Sequence, residues 1–221
     1  KKGNPQSYRL PNQKFRIEGD RIRIEKIGWV RMVVDRDIPD NGKILSCTIS
    51  KNPANQYFVS ITVDCEITKK PKTGKEVGID LGIKEFATLS DGIVIDNPKY
   101  LRENQSKISR IQKYMSRKTK GSNRWHKNRL KIARLHNKVS NRRLWFLHNL
   151  TTYLVNNYDT ICIEDLNVSG MVKNHKLASS ISDASFSLFR SLLEYKCEWY
   201  GKTLSVIDKF YPSSKTCSRC G

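Results

Sequence analysis

Acidic side chains are what this sequence is short of. Its 21 Asp and Glu face 41 Lys and Arg, a formal net charge of +20 over 221 residues. A surplus of that size exceeds what solubility requires and points to a polyanion as partner. The chain also lacks any apolar run of roughly 18 residues and any signal-peptide pattern, which excludes a membrane-spanning helix and sets a soluble, cytoplasmic protein as the expectation. It has no internal repeat, no low-complexity tract and no disulfide framework. Of six cysteines, Cys47, Cys65, Cys162 and Cys197 fall in strand or helix patterns and read as small buried residues, and only Cys217 and Cys220 form a spaced pair. An initiator Met is missing, and the last residue follows that pair directly, so the sequence reads as a fragment of a longer protein.

What is present is a hydrophobic fraction of 38%, enough for a core. From about Tyr8 to Glu66 short strand-like runs (RIRIEKI, WVRMVV, KILSCTIS, YFVSITVDCE) are separated by the turn clusters PDNG and KNPAN. These predict a small antiparallel sheet or barrel over residues 1–70. Lys69–Lys75, KKPKTGK, has linker composition and marks the boundary to a second domain, 71–221. That domain opens with the strand VGIDLG, a second strand EFATL and, across Ser-Asp-Gly, a third, IVID, which together form a meander.

Between Lys99 and Leu150 the pattern becomes helical, and 16 Lys or Arg are set against one acid, Glu103. Trp125, Ile132, Leu135, Val139, Phe146, Leu150 and Tyr153 recur at helical spacing. Lys127, Lys131, Arg134, Lys138 and Arg142 follow steps of 4, 3, 4 and 4 on a neighbouring face. A solvated face normally mixes signs; this one does not, so the five cations are candidates for nucleic-acid contact. The helical section, about 99–157, is followed by a strand, DTICIEDLNVSGM. Next comes a helix with Phe186, Phe189, Leu193, Cys197 and Tyr200 on one stripe and Gly201 as its stop, and then a strand, LSVID.

Two acids stand out. Alternation puts Val77, Ile79 and Leu81 on one face of the first strand and Gly78, Asp80 and Gly82 on the other, where the glycines leave room around the carboxylate. Glu164 likewise ends a second apolar strand, opposite in facing to Ile161 and Ile163. Carboxylates at the ends of adjacent strands can share Mg²⁺ or Mn²⁺ and act on a phosphodiester. Asp165 faces away and reads as a turn or solvent acid. Asp183 reads as the cap of a following helix, and His126, His136, His148 and His175 have no ligand spacing. Trp125, Trp145 and Trp199 read as core residues.

The order strand with Asp, two-strand meander, helix, strand with Glu, helix, strand resembles the RNase H-like nuclease fold, an α/β class in which the first and fourth strands are neighbours. The blocks GIDLGIKEFATLSDG, ICIEDLNVSGM, SDASFSLFRSLLEYKCEWYG and YPSSKTCSRCG further resemble those of the TnpB family, transposon-encoded proteins related to type V CRISPR effectors. The resemblance implies a RuvC-like nuclease domain with Asp80 and Glu164 as its first two catalytic, metal-binding acids. It makes Cys217 and Cys220 the first half of a zinc ribbon whose second Cys pair, like the third acid, is absent from this chain. It also implies that the N-terminal strands are the later part of a wedge-like RNA-binding domain, that guide RNA and target DNA are the partners, and that the protein works at the prokaryotic nucleoid. Two thiolates hold Zn²⁺ weakly and two acids hold Mg²⁺ loosely, so the 221-residue chain is expected to be nuclease-deficient.

Two alternatives share these residues: a nuclease-inactive, guide-dependent DNA-binding protein, against which the presence of both acids speaks, and a transposase that cuts and joins DNA. GIDLG also resembles the first phosphate loop of actin and Hsp70-type ATPases. There, however, Ile83 and Lys84 stand where a Thr or Ser would reach phosphate, and no second Gly-rich loop follows.

Overall fold

The computed structural model describes residues 6–171, 173 and 177–207. In chain order these form β1 (Gln6–Pro11), β2 (Phe15–Glu18), β3 (Arg21–Ile24), β4 (Gly28–Arg31), β5 (Lys43–Lys51), β6 (Tyr57–Asp64), β7 (Glu76–Leu81), β8 (Glu85–Leu89), β9 (Val94–Asp96), α1 (Tyr100–Ser116), α2 (Asn123–Asn157), β10 (Thr160–Glu164), α3 (Val168–Met171), α4 (Ala178–Ala184), α5 (Phe186–Tyr200) and β11 (Thr203–Ile207). The chain divides into two units, one made of residues up to 67 together with 111–134, the other of 68–110 together with 135 onward.

The first unit holds two three-stranded antiparallel sheets, ordered β1-β5-β6 and β2-β3-β4. Its core follows from alternation: Arg-Ile-Arg-Ile in β3 turns Ile22 and Ile24 inward to meet Phe15, Cys47 and Ile49. A register shift in β5 between Ile44 and Ser46 breaks that alternation, leaving Leu45 exposed and Ser46 and Cys47 both buried. The buried Ser46 hydroxyl accepts the Arg9 Nε–H at 3.0 Å.

The second unit is built on one five-stranded sheet, β11-β10-β7-β8-β9, in which β7, β10 and β11 are parallel and β7-β8-β9 is an antiparallel meander. The RNase H-like order expected from the sequence is therefore present, with the first and fourth strands of the unit side by side. One face of the sheet is covered. Val77, Ile79, Leu89, Ile161 and Ile163 pack against Leu147, Leu150, Leu154 and Val155 of α2 and Phe186, Phe189, Leu193 and Cys197 of α5. Phe86 lies at the centre of this layer, with its ring 5.2, 5.7 and 5.4 Å from those of Phe146, Phe186 and Phe189. Gly201, at φ 67°, ends α5 as the sequence predicts, and the Lys202 N–H reaches back to the Cys197 carbonyl at 2.8 Å.

Lys69–Lys75 has the composition of a linker but is bound along the start of this sheet. The Asp159 carboxylate accepts the Thr73 and Gly74 N–H groups at 2.8 and 2.6 Å and the Lys202 ammonium at 2.6 Å. Lys202, its side chain 1% exposed, also donates to the Pro71 carbonyl. The Lys202 hydrogen bond, followed by the Thr73 N–H, holds the Asp159 carboxyl well below the usual carboxylate range. Gly74 takes φ 70°, a conformation that glycine adopts at no steric cost, to deliver its N–H.

A second buried lysine was not legible in the sequence. Lys196 of α5, 6% exposed, lies on the apolar side of its helix and donates to the His148 carbonyl at 2.9 Å and to the Thr151 and Thr152 hydroxyls at 2.7 and 2.8 Å. Thr151 in turn donates to the Leu147 carbonyl at 2.7 Å, so the group is hydrogen-bonded throughout, while among the described residues its charge has no counter-ion. Burial pushes the Lys196 amine down to about 8 and the neighbouring Cys197 thiol up to about 11.

Between pH 8 and the unfolded-state lysine value of about 10.4, the unfolded chain holds a proton on Lys196 that the folded chain has released. Stability therefore rises with pH across that window on account of Lys196, by about 3 kcal/mol in full. Above pH 9 the Cys197 thiol works in the opposite direction. Urea unfolding of the native chain and of Lys196→Met at pH 7, 8.5 and 10 should show the native chain gaining stability relative to the variant as pH rises. A pH-independent difference would contradict this account.

Candidate active site

β7 and β10 run parallel in the register Glu76 to Thr160, Val77 to Ile161, Gly78 to Cys162 and Ile79 to Ile163. One further step along both strands brings Asp80 beside Glu164. Val77, Ile79, Ile161 and Ile163 are all buried toward the helices, so alternation turns Gly78, Asp80, Cys162 and Glu164 to the opposite face. Asp80 is exposed and Glu164 half-buried, and Thr88 of β8 is the partner of Asp80 on its other side. Both carboxylates stand at the carboxyl ends of parallel strands, where open α/β sheets bind ligands.

The two glycines beside Asp80 have different roles. At Gly82 a β-carbon would lie 2.9 Å from the Glu85 carbonyl, because the chain turns so tightly that the Gly82 N–H bonds the Phe86 carbonyl at 3.1 Å. At Gly78 a β-carbon would meet Ser90 at an ordinary 3.7 Å. The backbone of the hairpin thus requires Gly82, and the carboxylate does not set the need.

Hard oxygen donors on one face of neighbouring strands fit a small divalent cation. Among the described residues no group of three or more His, Cys, Asp or Glu side chains is gathered to hold a metal, so the pair is an incomplete ligand set. Cys217 and Cys220, the expected zinc ligands, and His175 lie outside the described residues.

The acids next to the pair are engaged elsewhere. Asp165 meets Arg190 at 2.5 Å, and its N–H bonds the Ile207 carbonyl, tying the end of β10 to α5 and β11. Glu194 and then Asp165 hold the Arg190 guanidinium above its ordinary value. Asp183 is a cap, though of another helix than the one expected. It lies inside α4, its side chain 8% exposed, accepting the α1 Leu101 N–H at 2.9 Å and Arg143 Nη2 at 2.5 Å. In the turn between β8 and β9, Asp91 accepts the Tyr158 hydroxyl, which lowers the acid and raises the phenol.

Lys127, Lys131, Arg134, Lys138 and Arg142 are all exposed on α2, the first three within the first unit and the last two within the second. Arg142 is already in use, bonding Glu103 at 3.0 Å and lying 4.3 Å from the Tyr100 ring centre. The tryptophans depart from expectation. Trp145 is 68% and Trp199 47% exposed, and Trp125 is half-buried beside His126 and Arg129. The buried stripe of α2 runs through Val139, Leu147, Leu150 and Leu154, and Trp145 falls on nearly the opposite side of the helix. Cys47 and Cys197 are buried as expected, whereas Cys65 and Cys162 are half-exposed.

Sequence comparison matches residues 56–175 to the family OrfB_IS605, described as "Probable transposase", and residues 186–221 to the "Cas12f1-like, TNB domain". A protein of Streptomyces pristinaespiralis named "Putative RNA-guided DNA endonuclease" is 46% identical over 186 residues, 84% of this chain and 46% of the relative. InsQ of Escherichia coli, also named "Putative RNA-guided DNA endonuclease", is 34% identical over 238 aligned positions, 100% of this chain and 58% of the relative. The chain thus spans about half the length of the curated relatives it matches. A solved Cas12f1-sgRNA-target DNA complex contains a chain that superposes with a TM-score of 0.55 over 98% of this chain and 52% of its own length, at 14% identity, a likeness of fold.

Replacement of Gly82 tests the hairpin that follows Asp80. Gly82→Ala should cost about 1–3 kcal/mol in chemical unfolding, since the carbonyl it would strike belongs to the backbone. Gly78→Ala should cost less than 1 kcal/mol by the usual interior glycine margin. Equal costs would show that the turn has room to spare.

Proposed function

Because the chain belongs to the TnpB family of transposon-encoded proteins, we propose that it supplies two carboxylates, Asp80 and Glu164, to the nuclease centre of an RNA-guided DNA endonuclease. The observation that supports this most is the parallel pairing of β7 with β10, whose register, continued by one residue, carries Asp80 and Glu164 on the face opposite α2 and α5. Asp80 and Glu164 would hold Mg²⁺ or Mn²⁺, which when bound supplies charge stabilisation at the scissile phosphate and a more acidic attacking water. The two side chains would hold the cation through their carboxylate oxygens. The exposed lysines and arginines of α2 neutralise the phosphates of guide RNA or target DNA without reading sequence. Cys217 and Cys220 would serve as one half of a zinc site, to be completed by two further ligands. With only two acids gathered among the described residues, the 221-residue chain alone is expected to be nuclease-deficient.

A second reading, DNA cutting coupled to joining, takes its support from the family description "Probable transposase". Strand transfer of transposon ends by the purified protein would favour it over guided cleavage.

Binding of Mn²⁺ to the chain, followed by electron paramagnetic resonance, is expected to weaken by more than about tenfold in Asp80→Asn and in Glu164→Gln, with the fold unchanged. Unaltered binding in both would remove the carboxylates from the metal site. Separately, nucleic acid that copurifies with the intact protein from its host should be one discrete, structured RNA with a variable end. A heterogeneous mixture would make the α2 cations a general polyanion surface and undercut the guided reading.

A further inference from the structure

A cleft of about 410 Å³ opens in the second unit directly after the strand that carries Asp80. Its walls come from the β7–β8 turn, the start of α1 and the start of α4, and a second depression of about 340 Å³ adjoins it, so that Asn97, Lys99 and Arg102 line both. The volume is at the lower end of that of small-molecule pockets, enough for one nucleotide.

Its electrostatics are arranged by α2. Of the two acids at this place, Asp183 is taken by Arg143 and the Leu101 N–H, and Glu103 by Arg142. Among the described residues the side chains of Lys99 and Arg102 have no carboxylate partner, so their charge is left uncompensated at the mouth of both depressions. Asn97 is spent on the frame, donating to the Ile83 carbonyl at 2.8 Å and accepting the Lys99 N–H. Ile83 and Leu177 contribute apolar surface, and Lys84, Gln105, Ser179 and Ser180 complete the lining. Cations grouped with apolar surface in a concave site suit a phosphate joined to a base, where an open duplex-binding surface would show cations alone.

We infer that this cleft binds one unpaired nucleotide of the DNA strand presented to Asp80 and Glu164, its phosphate on Lys99 and Arg102 and its base against Ile83 and Leu177. The inference rests on the nuclease reading for the identity of the strand, but not for the binding itself, which needs no metal.

The test is fluorescence anisotropy of a labelled ten-residue oligothymidine with the 221-residue chain in EDTA. Lys99→Ala/Arg102→Ala should bind about tenfold more weakly and lower the slope of log affinity against log salt by about 1.4, the value for two single-strand phosphate contacts. Leu177→Ala, at an exposed position, should weaken oligothymidine several-fold and leave an abasic strand of equal charge unchanged. Asp80→Asn/Glu164→Gln should bind at least as well as the native chain. If that variant binds normally and also retains its Mn²⁺ affinity, the nuclease reading fails while the cleft stands. Unchanged affinity and salt slope in the Lys99/Arg102 variant, with its circular dichroism intact, would overturn the inference. So would equal binding of abasic and thymidine strands by the native chain.

Discussion

Burial of one face of the five-stranded sheet is the constraint on which the rest depends. α2 and α5 cover that face, and Val77, Ile79, Ile161 and Ile163 must all turn to it to leave water. With a side-chain period of two, that choice fixes Asp80 and Glu164 on the other face whatever their own preference. The parallel register between β7 and β10 then sets them at one level. Hydrophobic packing on one side thus positions polar chemistry on the other, and Phe86, with its three aromatic neighbours, lies in the layer that holds both strands to the helices.

Scarcity of acid shapes the second unit as much as excess of base does. Asp159 fastens the 69–75 segment through Lys202, Asp165 ties β10 to α5 through Arg190, Asp183 joins α4 to α1 and Arg143, and Glu103 joins α1 to Arg142. Each carboxylate secures a junction between elements and consumes a cation there. Cations with no such partner among the described residues, Lys99 and Arg102 for example, keep their charge uncompensated. A chain with this balance is stabilised internally by its few acids and remains strongly positive outside, the combination a phosphodiester backbone selects.

Much of this was legible from the sequence. Alternation and turn residues located EFATL and IVID as strands β8 and β9, Gly201 as the end of α5 and the apolar stripe of that helix, because these depend on periodicity and on local backbone preference. Residue type misled at Trp145, which reads as a core residue for its large apolar ring yet lies on nearly the opposite side of α2 from the buried stripe and is exposed. Burial of Lys196 had no signal in the sequence. A lysine within a helical stripe reads as solvated, and only the converging Thr151, Thr152 and His148 oxygens make its burial tolerable.

By itself the sequence determined the elements, the net charge, the two acids at strand ends and the family blocks, all of them set by residue type and near-neighbour spacing. Tertiary structure alone decided that Asp183 caps α1 across more than 80 residues and that the apparent linker is bound by Asp159. Contacts of that separation depend on which strand pairs with which and which face a helix covers, quantities that no local pattern encodes.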